Sequence, residues 1–145
     1  MQGRIIKFQV KPAKWNPYKP PFRFYWNVHI FESKTAMWAA GAKVSACDRD
    51  KDGGYGALTV PLWRERYEGD ETILAPKLGD VLFHRDCLGS SCVSHEAVHM
   101  STSYLRRISK LELSEDIDDS EELLAYCIGG CTRQIVDKCY EIGLY

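Results

Sequence analysis

Val93-Ser-His95-Glu96-Ala-Val-His99-Met-Ser-Thr102-Ser-Tyr-Leu-Arg106 decides how the second half of the chain folds and what chemistry it offers. Advancing about 100° per residue, the helical period, brings His99, Thr102 and Arg106 within about 40° of His95. Val93, Ala97, Met100, Tyr104, Ile108 and Leu111 gather on the opposite side. The spacing predicts a helix over 91–110 with an apolar stripe for the core and a histidine pair facing away from it. His95-Glu96-Ala97-Val98-His99 is an H-E-x-x-H pentapeptide. Two imidazoles four apart on a helix can share one Zn²⁺, and the glutamate between them can act on a metal-bound water. A hydrogen-bonded core histidine is the bland alternative, and it does not suit a pair set opposite the apolar stripe.

A two-histidine site needs a third protein ligand, with a fourth position left open for water. The stretch 120–142 supplies a second predicted helix, with Ser120 as N-cap. Leu124, Cys127, Ile128, Cys131, Ile135 and Ile142 form its apolar stripe, while Glu122, Tyr126, Gly129 and Arg133 lie opposite. That phase favours Glu122 over Glu121 as the ligand. The competing view makes both glutamates first-turn charges that complement the helix dipole.

His95-Glu-Ala-Val-His99 followed by Glu122-Leu-Leu-Ala-Tyr126 resembles the gluzincin arrangement of zinc peptidases. More closely, it resembles the small ImmA/IrrE-like metallopeptidases of phages and mobile elements, in which a short β-region precedes the H-E-x-x-H helix. The segment Leu78-Gly-Asp-Val-Leu-Phe-His84 leading into Cys92 has that strand-loop-helix form. The resemblance implies a minimal zincin-like fold, His95, His99 and Glu122 as Zn²⁺ ligands, and Glu96 as general base. It implies hydrolysis of a peptide bond in one specific protein. The group often carries Ala-Asn after its helical glutamate, where this chain has Ala125-Tyr126. Tyr126, on the Glu122 side, and His84, at the end of its strand, are the candidates for stabilising the transition state. An extended substrate is expected to pair along a sheet edge. The alternative function is a zinc-containing module that binds a protein without cutting it.

The 145 residues, 45% of them apolar, suit one domain with a real core. A net charge of −1 argues against wholesale attraction to nucleic acid or membrane. The six basic residues of stretch 1–24 are read as a solvated sheet edge rather than a nucleic-acid patch, and the seven acids of 111–122 as a solvated linker. No apolar run is long enough to span a bilayer and no signal-peptide core opens the chain, so a cytoplasmic location is expected. Cys127, Cys131 and Cys139 read as buried thiols on the second helix. Cys87 and Cys92, before the histidine helix, could form a disulfide or a regulatory pair.

Residues 4–10, 22–33, 56–63 and 80–85 read as strands, with Pro61 marking an edge or bend. The stretch 35–47 could be a strand or a short helix, and strand is favoured because Gly41 and Val44 disfavour helix. In 22–33, Phe22, Phe24, Trp26, Val28 and Ile30 alternate with Arg23, Tyr25, Asn27 and His29, so His29 is expected to be exposed. The fold class is therefore α+β: an N-terminal antiparallel sheet over 1–86, then two helices within 90–145 that carry the metal site. Asp48-Arg-Asp50-Lys-Asp52-Gly53 matches the first half of a calcium loop, but Thr59 stands where a bidentate glutamate belongs. A hairpin turn explains it more simply.

Overall fold

The computed structural model describes residues 2–15, 23–44, 56–62, 65–108 and 117–145. The elements are β1 (Arg4–Val10), β2 (Tyr25–Phe31), α1 (Lys34–Val44), β3 (Ala57–Pro61), β4 (Glu65–Glu68), β5 (Glu71–Leu74), β6 (Lys77–His84), α2 (Ser90–Ile108) and α3 (Ile117–Glu141). Short 3-10 turns occupy Pro12–Trp15 and Arg85–Cys87. The fold is α+β: the described residues form a four-stranded sheet in the order β1-β2-β6-β3, a separate β4-β5 hairpin and three helices.

The sheet is mixed rather than antiparallel as expected. β6 lies parallel to β2, with Val28 opposite Val81, and antiparallel to β3, with Thr59 opposite Val81. A parallel pair requires a long crossover, and here the crossover contains α1, β3 and the hairpin. The stretch 35–47, read as a strand, begins as helix α1 instead. Ser33 caps it, its Oγ accepting a hydrogen bond from the Ala36 amide at 3.1 Å. Gly41, which argued for a strand, serves packing: a Cβ there would come within 2.9 Å of Leu58 Cδ2, so its absence lets the helix lie close to the sheet.

Helices cover both faces of the sheet. On one, Trp26, Val28, Ile30, Val81 and Phe83 pack with Ala97, Met100 and Tyr104 of α2 and with Cys131 and Ile135 of α3. On the other, Phe31, Leu58, Val60 and Leu82 pack with Met37 and Ala40 of α1. The alternation along β2 thus separates two buried faces, and His29 is buried, not exposed. Its Nε2 lies 2.7 Å from Asp80 Oδ1, while Lys77 Nζ lies 2.8 Å from Oδ2. Burial alone would raise the Asp80 pKa, but the hydrogen bonds and charges of His29 and Lys77 outweigh it and hold the carboxyl below its ordinary value.

Two glycines meet backbone demands. Gly69 opens the two-residue β4-β5 turn at φ +62°, a conformation that hairpin turns require. Gly79 sits at φ +154°, and a Cβ there would meet the Val60 carbonyl oxygen at 2.3 Å. α3 lies at the β1 edge, where Gln134 Oε1 accepts from the Lys11 amide at 3.0 Å and Gln134 Nε2 donates to the Lys11 carbonyl at 3.1 Å. α2 therefore runs between α3 on one flank and β3 on the other. Among the described residues, no helix is long and apolar enough to cross a membrane.

Candidate functional site

The exposed side of α2 and the edge strand β3 form the walls of a cleft of about 670 Å³, a size that suits small ligands or a short length of chain. His95, Glu96, His99, Thr102, Ser103 and Arg106 line it from the helix. Ala57, Leu58, Thr59 and Pro61 line it from the strand. Among the described residues β3 pairs only with β6, which leaves its other edge toward the cleft. Pro61, the last residue of β3, stands at that edge as its missing N–H predicted.

His95 and His99 are both exposed, and their Nε2 atoms converge to 3.1 Å. The rings meet edge to face with centroids 4.9 Å apart. At that distance one Nε2–H can donate to the other nitrogen. Two nitrogens bound tetrahedrally at about 2.0–2.1 Å from one zinc ion would stand roughly 3.3 Å apart, so the pair fits a shared ion with little adjustment. The helix sets this geometry, because four residues exceed one turn by about 40° and stack the two imidazoles on one side.

Glu96 has a different environment. It sits one position off the histidine side and is only 5% exposed. Thr59 Oγ1, from β3, donates a hydrogen bond to its Oε2. The carboxylate is thus fixed between helix and strand, next to the histidine pair and inside the cleft.

The other predicted residues lie elsewhere. Glu122 is exposed on α3 and does not line the cleft. Tyr126, 41% exposed, projects from the same outer side of α3. The helical phase of α3 separates these residues from its apolar stripe as read from sequence, but that stripe packs toward α2 and β1. The side with Glu122 turns outward, on the flank of α2 away from β3. Among the described residues, no group of three or more His, Cys, Asp and Glu side chains is placed to hold a metal ion. His84 is buried at the end of β6, in phase with Leu82 on the α1 face rather than the cleft face. Burial lowers its pKa, with Asp86 opposing, and its Nδ1 has no hydrogen-bond partner among the described residues.

A disulfide joins Cys87 to Cys92 and ties the turn after β6 to the first turns of α2. Cys127, Cys131 and Cys139 are buried free thiols, as expected. Burial pushes the Cys127 thiol up to about 11 and the Cys131 thiol up to about 12. Asp48, Asp50 and Asp52 lie outside the described residues. The sequence reading missed Thr59 as a site residue. Its only signal was a place in a strand beside Pro61, and one dimension does not say which helix residue that strand faces. No family model, curated protein or solved structure matches the chain.

Proposed function

We propose that the chain is a zinc-dependent metallopeptidase acting on a specific protein or peptide. The observation that carries this is the convergence of the His95 and His99 Nε2 atoms to 3.1 Å beside a buried Glu96, in a cleft bordered by an edge strand. His95 and His99 would hold the ion through Nε2, and the third protein ligand that such a site calls for is not placed beside them among the described residues. When bound, zinc supplies a Lewis acid and brings the pKa of water toward neutrality. Glu96 takes the proton of the attacking water and passes it to the leaving amine. Thr59 fixes the Glu96 carboxylate through Oε2, which leaves Oε1 for the proton. The outer edge of β3 offers backbone N–H and C=O groups to an extended substrate, as a further strand of the sheet.

Two measurements test this. After incubation with zinc, the wild-type chain and Glu96→Gln should each hold about one ion, and His95→Ala should hold far less. Mapping of new protein N-termini in a lysate should find cleavage with wild type and none with Glu96→Gln. Absence of zinc binding refutes the proposal. Zinc binding without any cleavage leaves the alternative, a zinc-containing module that grips a protein without cutting it.

A further inference from the structure

We propose that Arg106 is a specificity-determining residue that selects a substrate with an acidic side chain a few residues from the bond that is cut. This inference rests on the peptidase reading of the same cleft. Among the described residues lining the cleft, Arg106 is the only Lys or Arg and Glu96 the only acid. Glu96 is buried against Thr59, whereas Arg106 is exposed and makes no ion pair with any described residue. A basic residue in the last turn complements the helix dipole, and Arg107, also in that turn, can serve this end. Arg106 differs in lying on the same side of α2 as His95 and His99, with Ser103 and Thr102 beside it in the wall. Thr102 Oγ1 already donates to the Val98 carbonyl and keeps its lone pairs for other donors. The Arg106 guanidinium, with no ion pair among the described residues, is thus the donor in that part of the cleft suited to a carboxylate, which it can grip with two parallel hydrogen bonds.

The position along the substrate follows from element geometry. The helix rises about 1.5 Å per residue, so His99 and Arg106 are roughly 10 Å apart along the axis. An extended chain on the β3 edge advances about 3.3 Å per residue. The guanidinium therefore meets a side chain about three residues from the reacting bond, and the length of the arginine widens this to roughly two to four.

The test uses zinc-loaded Glu96→Gln protein, so that peptides bind without turnover, and a fluorescent set of nine-residue, end-blocked peptides. Each carries one Asp at a different position, with an Asn twin and a Lys twin. A further pair shares one neutral sequence but ends in a free or an amidated carboxyl group, separating a side-chain carboxylate from a terminal one. One Asp position should bind at least about tenfold more tightly than its Asn twin. Arg106→Gln should erase that preference, and Arg106→Glu should transfer it to Lys at the same position. Binding without an Asp preference overturns the inference and spares the peptidase reading, as does a preference that survives Arg106→Gln or one confined to the free terminal carboxyl. Failure of every peptide to bind overturns the inference, while the peptidase reading stands or falls on the zinc and cleavage measurements above.

Discussion

Replacing Thr59 with Val tests the link between strand and helix on which the site depends. Valine keeps the shape and β-branching of threonine, so packing and strand preference change little. What is lost is the hydroxyl that donates to Glu96 Oε2. Glu96 is only 5% exposed, so solvent cannot readily replace that donor. A hydrogen bond to a charged group is worth about 1.5–3 kcal/mol, and Thr59→Val should cost that much stability. For a chain of this size each kcal/mol moves Tm by roughly 3–4 °C, so a fall of about 5–10 °C is expected. The assay is urea unfolding of the metal-free protein followed by circular dichroism, for wild type, Thr59→Val, Glu96→Ala and the double variant. The two single effects should fail to add by at least about 1 kcal/mol, as groups in direct contact do. Additivity within about 0.5 kcal/mol would refute the reasoning, because it would mean that the hydroxyl and the carboxylate do not act on each other.

Four further outcomes are expected. His99→Ala should lose zinc while Glu122→Ala, altered on the outer side of α3, keeps it, as read by metal analysis by mass spectrometry after dialysis. Asp80 has a folded-state pKa below its ordinary 3.8, so its pairing contributes stability that is fully present above that value and lost as pH falls through the folded value. Urea midpoints between pH 6 and pH 2.5 should therefore fall more steeply in wild type than in Asp80→Asn. Burial holds Cys127 and Cys131 protonated at pH 8, so mass mapping after a thiol reagent should find both unlabelled in folded protein and labelled in urea. Gly79→Ala places a methyl group against the Val60 carbonyl oxygen at a positive φ and should cost about 3 kcal/mol or more by urea unfolding.

The helices of the second half were legible because each carries a long apolar stripe at one period. α2 was expected over 91–110 and spans Ser90–Ile108, and α3 was expected from Ser120 and begins at Ile117. α1 was misread because Gly41 looks like a helix breaker until the sheet beneath it is known. The burial of His29 was hidden for a related reason: a polar residue in an alternating strand signals solvent only if one face is bare, and β2 has helices on both. The β4-β5 hairpin went unread although Gly69-Asp70 is a two-residue turn signal. At the site, the His95–His99 pair follows from spacing alone. Thr59 and the outward turn of Glu122 depend instead on which flank of α2 each neighbouring element occupies, and helical phase is silent about that.

The place of β6 between β2 and β3 has a consequence for how the chain is made. Phe31 closes β2 long before Lys77 opens β6, so during synthesis β2 has its β1 partner and an open inner edge. At about 5–20 residues per second, the interval until His84 emerges is several seconds. Through that time Val28 and Ile30 border an unfilled slot, and β3 also waits for the same strand. One eight-residue segment thus closes the inner edges of β2 and β3 at once, and after its arrival only the outer edges of β1 and β3 stay unpaired among the described strands of this sheet.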